Sequence, residues 1–159
     1  MNPQPLPARL LASSVALAAT LCAQGRFSAG QDITTTCYAA KDTHAADLDG
    51  DGALDVLSVS WQDHRVAWYR NLGNGTFGSE QVITTSATGA EAAYAADLDG
   101  DGDLDVLVAA GGSHVVSYFP NLGNGSFGAE QVLSSSPTGP QDVYAADLDG
   151  DGDLDVLAA

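Results

Sequence analysis

Aspartate residues are concentrated in three short segments of the chain, and their spacing is that of an ion-binding loop. The first segment, Asp47 to Asp55, reads DLDGDGALD, and closely similar segments occupy residues 97–105 and 147–155. Each segment places carboxylates at loop positions 1, 3, 5 and 9. Because Ca²⁺ takes about six to eight oxygen ligands in a flexible geometry, a chain that offers oxygen at alternate residues suits it. The spacing therefore predicts three calcium loops, with about one ion in each.

The predicted ligands are the residues at odd positions of these loops. Position 7 is alanine in the first loop and aspartate in the other two, so we expect it to contribute its backbone carbonyl rather than a side chain. Four carboxylates this close together repel one another unless a cation lies between them. The predicted metal ligands are Asp47, Asp49, Asp51, Ala53, Asp55, Asp97, Asp99, Asp101, Asp103, Asp105, Asp147, Asp149, Asp151, Asp153 and Asp155.

Three other interpretations of the loops are less consistent with the sequence. Asp and Gly favour ordinary solvated turns, but a turn needs only one or two such residues, and three copies retain all four odd-position aspartates. An EF-hand needs a Glu at loop position 12 and a helix on each side. That position holds Ser58, Val108 or Ala158, and the segments that follow the loops are aliphatic and typical of strands. The sequence also lacks a tandem nonapeptide array of the β-roll kind.

The 50-residue repeat around these loops resembles a known family. Residues 95–133, AADLDGDGDLDVLVAAGGSHVVSYFPNLGNGSFGAEQVL, are similar to the FG-GAP or VCBS repeat, and Phe77-Gly78 and Phe127-Gly128 match the Phe-Gly pair that names it. This resemblance implies an all-β fold in which four-stranded blades form part of an integrin-α-like β-propeller. It also implies that the aspartates at loop positions 1, 3, 5 and 9 bind calcium.

Strand prediction within the repeat follows the hydrophobic pattern. We expect strands near Tyr94–Ala96, Leu104–Ala110, Val115–Phe119 and Ala129–Leu133. The second of these is almost entirely apolar, which is typical of a strand covered on both faces. Trp68, Tyr69, Tyr118 and Phe119 give the third strand large aromatic side chains, and these favour a core between blades over a ligand platform.

The segment NLGNG, at Asn71–Gly75 and Asn121–Gly125, predicts a turn between the third and fourth strands. The same residues form glycosylation sequons at Asn74 and Asn124. We favour the turn, since it requires these residues whereas glycosylation depends on the host.

The start of the chain is predicted to be a targeting segment. Arg9 precedes an apolar run from Leu10 to Leu21, and Ala23 ends a plausible cleavage site. The predicted domains are a signal peptide over 1–23 and a repeat region over 24–159, divided into 24–46 (partial), 47–96, 97–146 and 147–159 (truncated). We therefore expect a secreted, extracellular or cell-surface protein with no transmembrane segment after signal cleavage.

Chain length sets a limit on the architecture. A propeller closes with about four to eight blades, and this sequence holds two complete periods with partial ends. We therefore expect an incomplete propeller whose further blades come from a longer chain or from self-association.

Cys37 would be the one cysteine left after cleavage, and we interpret it as a loop thiol outside any catalytic role.

Charge and motifs restrict the function. The net charge of −16 disfavours nucleic acid as a partner. His64 and His114 recur at equivalent positions, His44 aligns with two tyrosines, and no nucleophile or phosphate-loop motif occurs, so the sequence does not predict an enzyme. The first hypothesis is a calcium-dependent extracellular module that binds protein or glycan and mediates adhesion. The alternatives are a non-catalytic accessory repeat domain of a larger secreted enzyme and a purely structural stalk.

Overall fold

The computed structural model describes residues 30–35, 37–135 and 138–159, which form ten β-strands and no helix. The predicted signal peptide and the start of the repeat region at 24–29 lie outside the described residues. The first sheet contains β1 Ala40–Ala46, β2 Asp55–Ser60, β3 Arg65–Tyr69 and β4 Gln81–Thr84. The second contains β5 Ala90–Ala96, β6 Asp105–Ala110, β7 Val115–Phe119 and β8 Gln131–Ser135, and the third contains β9 Val143–Ala146 and β10 Asp155–Ala158.

Each sheet is an antiparallel meander. The strands of the first sheet pair in the order β1-β2-β3-β4, those of the second in the order β5-β6-β7-β8, and β9 pairs with β10. The expected four strands per repeat are therefore confirmed for the two complete repeats. The structure also corrects the bounds of three strands: β5 begins at Ala90 rather than Tyr94, β6 begins at Asp105 rather than Leu104, and β8 covers Gln131–Ser135 rather than Ala129–Leu133. Alanine-rich sequence has a weak strand propensity, yet 90–93 pairs with β6 across a bulge.

Stacking of the sheets buries the central strands on both faces, as the apolar pattern predicted. Every residue of β2 and of β6 is buried. One face of β6 packs toward the first sheet, where Val106 and Val108 join Leu57 and Trp68 in a core cluster. The other face carries Leu107 and Ala109, which pack with β7 and β9. Trp68 is only 2% exposed, so its predicted place in the core between sheets is confirmed.

The first strands of the three sheets lie beside one another. Lys41 Nζ of β1 lies 2.8 Å from Glu91 Oε2 of β5, and the amide of Ala93 donates to Asp42 Oδ2 at 3.1 Å. The rings at equivalent positions, His44, Tyr94 and Tyr144, form a column with centroid separations of 4.8 and 4.6 Å. Equivalent positions of successive repeats therefore lie next to each other, and the sheets stack as the blades of a propeller do without closing into a ring.

Turns and the described cysteine also follow the sequence. The predicted NLGNG turn is confirmed, since the amide of Leu122 donates to the carbonyl of Ser126 and Asn121 forms an isolated bridge with Phe127.

Cys37 is buried, with its Sγ 3.6 Å from Tyr69 Oη. Within the part of the chain that the structure describes, no helix has the length and apolar character needed to cross a bilayer.

Candidate metal loops

The three acidic loops all connect the first and second strands of a sheet. Position 9 of each loop is also the first residue of the second strand: Asp55, Asp105 and Asp155. Asp55 accepts hydrogen bonds from the amides of Leu48 at 3.0 Å and Asn71 at 2.8 Å. Asp105 does the same with the equivalent residues, Leu98 at 2.9 Å and Asn121 at 2.7 Å. The position-9 carboxylate therefore fixes the loop to the sheet.

Position 1 closes the loop from the other end. Asp47 accepts from the amide of Gly52 at 2.9 Å, and Asp97 and Asp147 accept from the equivalent glycine amides at 3.1 and 3.2 Å. Gly52 has φ +88°, a left-handed conformation that costs glycine little. The chain therefore curls around the position-1 carboxylate and brings the other acidic side chains toward it.

The structure brings part of each predicted ligand set together. In the described residues, three groups of carboxylates each offer oxygen atoms that lie within 4.8 Å of one another. The residues at positions 1 and 3 belong to all three groups, and the third member is position 9 in the first and third loops but position 5 in the second. The groups are Asp47, Asp49 and Asp55; Asp97, Asp99 and Asp101; and Asp147, Asp149 and Asp155.

Hydrogen bonds at positions 5, 7 and 9 shape the loops around these groups. Asp51 and Asp101 each accept from the amide of the position-7 residue at 2.9 Å. Their side chains therefore help to shape the loop, and so does Asp151, which makes the same contact. The position-7 residues Ala53, Asp103 and Asp153 supply these amides. The position-9 residue Asp105 is held at the base of the second loop by its two amide donors, outside the group of three carboxylates.

Burial and like charge make the carboxylates of Asp55 and Asp105 costly to ionise. The pKa of Asp55 and that of Asp105 are raised above the ordinary value, first because burial disfavours the charged form, while the amides that donate to each carboxylate oppose the shift. The aspartates at positions 3 and 5 raise it further. A cation at the loop would reverse this balance. Hard carboxylate and carbonyl oxygens on a loop with glycine hinges fit calcium in type and in flexibility.

Arg70 contacts two aspartates of the first loop, which the sequence did not lead us to expect. Its Nε lies 2.6 Å from Asp49 Oδ2, and its Nη2 donates to Asp51 Oδ2 at 2.8 Å. The hydrogen bond from Arg70 holds the pKa of Asp51 below its usual range. The second loop has no such partner at the equivalent place, since residue 120 is proline. The one indication in the sequence was that a basic residue directly follows the third strand in a strongly acidic chain.

Asn121 is the second residue whose role was missed. Beyond its place in the turn, its side-chain Nδ2 donates to the carbonyl of Leu104 at 3.0 Å and to that of Leu48 at 2.9 Å. Leu48 lies in the first loop, so this one amide connects the first and second loops. The equivalent Asn71 donates to Leu54 within its own repeat. The repeated NLGNG segment identified Asn121 as a turn residue. Its hydrogen bond to Leu48 joins two repeats, and the sequence of one repeat gives no indication of such a contact.

Two of the three histidines lie in turns, and the third, His44, lies in β1. His64 and His114 adopt left-handed φ values of 54° and 59° in the turns after β2 and β6. The amide of Gly89 donates to His64 Nδ1 at 3.0 Å. His44 stacks in the aromatic column described above. These contacts give His44 and His64 structural roles.

Comparison with known proteins adds a family and a fold. The model of the FG-GAP-like repeat matches residues 47–108 and 103–158, which together make up more than half of the chain. None of the curated proteins compared with the chain matches it at a significant level.

A solved structure with a similar fold is a lectin from Agrocybe aegerita, described in terms of its specific recognition of non-reducing terminal N-acetylglucosamine. The TM-score is 0.61 at 20% identity, over 86% of this chain and 39% of the lectin. The chain thus spans well under half of the lectin's length, and the likeness concerns the fold. It agrees with the stacked four-stranded sheets in supporting the expected all-β, partial propeller. The family match and this architecture together show that the chain belongs to the FG-GAP-like repeat family.

Proposed function

We propose that this protein is a secreted, calcium-binding repeat module that mediates extracellular interaction or adhesion through protein or glycan. The observation that carries the proposal is the convergence of carboxylate oxygens within 4.8 Å in three equivalent loops. Each loop is already curled by hydrogen bonds from its own backbone amides, so little reorganisation is needed to surround an ion. Membership of the FG-GAP-like family supports the same conclusion.

In this proposal the ions are structural. A bound calcium supplies positive charge at each loop, where the carboxylates at positions 1, 3, 5 and 9 and the position-7 carbonyl would hold it. The chain's own residues do the rest: Asp55 and Asp105 anchor the loops to β2 and β6, and the loop amides orient the remaining carboxylates. The loops lie at one end of the sheets, which leaves the turns after the second strands, at the other end, available for a partner.

The proposed partner is an extracellular protein or a glycan. The fold resembles that of a lectin that recognises N-acetylglucosamine, which makes glycans a suitable first class to test. A net charge of −16 would repel the phosphate backbone of nucleic acid. The proposal includes no catalytic role: His64 and His114 lie in turns, His44 stacks on Tyr94, and the loop aspartates are proposed as calcium ligands.

Calcium dependence can be tested by thermal unfolding and calorimetry. Millimolar calcium should raise the melting temperature and a chelator should lower it, because an ion that binds only the folded chain stabilises it. Magnesium at the same concentration is the control, since its rigid octahedral preference suits these loops poorly. An identical melt in calcium, magnesium and chelator, with no calorimetric signal, would contradict the proposal. A glycan screen with and without calcium would then test the partner class.

A further inference from the structure

We propose that Arg70 is a tethered cation that competes with calcium for the first loop, so that the first loop binds the ion more weakly than the second. This inference rests on the proposed calcium function and concerns the regulation of the same loops. It makes the two loops, which are nearly identical in sequence, respond to different calcium concentrations.

The guanidinium group makes two separate contacts with predicted calcium ligands. Its Nε lies 2.6 Å from Asp49 Oδ2 and its Nη2 lies 2.8 Å from Asp51 Oδ2. Both contacts fall on carboxylates of the predicted ligand set, at loop positions 3 and 5. Planar guanidinium groups pair well with carboxylates in this way. An ion that enters the first loop must therefore displace Arg70 or share the carboxylates with it.

Displacement is possible because the two partners differ in exposure. The Asp49 side chain is only 6% exposed, whereas that of Arg70 is 47% exposed. The guanidinium group can therefore move into solvent while the carboxylate stays in place. Arg70 is a cation that leaves the loop at a modest cost, which makes it a competitor rather than a permanent substitute for the ion.

The second loop differs at both relevant positions. Pro120 stands where the first repeat has Arg70, and Asp103 stands where the first loop has Ala53. The first loop thus has four carboxylates and a paired guanidinium, and the second has five carboxylates and a proline at the position of the arginine. Both differences favour a divalent cation at the second loop. Arg70 also offsets part of the negative charge of the first loop.

The two loops can be followed separately in one calcium titration. The amides of Gly52 and Gly102 donate to the position-1 carboxylates of the first and second loops, so their NMR resonances report each loop in turn. The Gly102 resonance should reach its midpoint at a lower calcium concentration than that of Gly52. Arg70→Gln should lower the Gly52 midpoint by about five- to tenfold, as expected from the loss of two ion pairs, one to a poorly exposed carboxylate. The Gly102 midpoint should stay unchanged.

Two further variants complete the design. Pro120→Arg should place a guanidinium group beside the second loop and raise the Gly102 midpoint several-fold. Arg65→Gln is the matched control, because Arg65 lies in the same sheet but pairs with Glu80 at 2.9 Å, away from the loop. It should leave both midpoints in place.

The outcomes separate this inference from the calcium proposal itself. If neither glycine resonance responds to calcium in any variant, the proposed function fails and this inference with it. A different result would refute only the competition by Arg70. In that result both resonances respond to calcium, the Gly52 midpoint is no higher than the Gly102 midpoint, and Arg70→Gln does not lower it. Should Arg70→Gln not fold, an unchanged Gly102 midpoint in Pro120→Arg would refute it independently.

Discussion

The first and second sheets share one plan but have different surroundings. In both, the first strand pairs with the second through the same register, and a bulge occurs at the same place, between Ala40 and Asp42 and between Ala90 and Ala92. Yet β1 alternates between half-buried and exposed residues up to Ala45, with only Ala46 buried, whereas β5 is mostly buried. The difference arises because β5 contacts β1 and β2 on one side and β9 on the other.

This comparison shows which properties belong to the repeat and which to its neighbours. Strand pairing and loop closure recur because each 50-residue unit encodes them. Burial, and the contacts of residues that face another sheet, depend on the adjacent unit. In repeat proteins, stability is approximately a sum of unit terms and interface terms. Substitutions at equivalent positions of the two units can therefore separate the two contributions.

The largest difference is expected at the glycine that ends the NLGNG turn. Gly75 and Gly125 both have positive φ, 83° and 70°. A Cβ on Gly75 would meet no atom of the described residues within 4 Å, but one on Gly125 would clash with the ring of Trp68. Gly75→Ala should lower the free energy of unfolding by about 1–2 kcal/mol for the left-handed backbone alone. Gly125→Ala should add about 1–3 kcal/mol for overpacking against the ring.

Denaturant unfolding in the presence of calcium would measure both variants. The matched control, Gly75→Ala, carries the same backbone penalty without the clash. Equal losses of stability in the two variants would show that the turn of the second sheet does not cover Trp68. Contact between the two sheets would then contribute nothing to stability at this position.

A smaller difference is expected at the asparagine that opens the turn. Asn121→Ala should lower the free energy of unfolding by about 1–3 kcal/mol, because it leaves the buried carbonyl of Leu48 and the half-buried carbonyl of Leu104 without their donor. Asn71→Ala removes one donor to the carbonyl of Leu54 at an exposed site, where water can replace it, so about 0.5–1 kcal/mol is expected. Chemical unfolding curves of the two variants provide the measurement. A larger loss for Asn71→Ala would contradict the connection between loops.

Sequence patterns predicted the features that each unit encodes by itself. The unbroken apolar run in β6 indicated burial on both faces, and the Asn-Gly pairs indicated the turns, because both signals are local. The curled acidic loops were also predicted, since their glycines and aspartates determine the backbone path within nine residues. The length of β5 was underestimated because alanine side chains contribute little to strand propensity, and pairing with β6 supplies what they lack.

Contacts between distant parts of the chain were not predictable in the same way. Arg70 and Asp51 are 19 residues apart, and Asn121 and Leu48 are 73 residues apart. Which of these side chains meet depends on the twist of the sheets and on how they stack, and a single sequence states neither. The burial of Asn121 at 2% exposure, against the half-buried Asn71, has the same origin.

The smallest effect is expected at loop position 7, where the two complete loops differ in side chain. Asp103→Ala should change the calcium midpoint of the second loop by no more than about two- to threefold, since position 7 offers its backbone carbonyl and the first loop already has alanine there. Asp99→Ala is the comparison, because it removes a member of the convergent carboxylate group. It should weaken the same loop by more than about tenfold, as expected when an ion loses a charged ligand. Calorimetric titration of both variants would test this. Equal weakening would mean that the Asp103 side chain binds the ion directly, in which case Ala53 and Arg70 would both lower the affinity of the first loop.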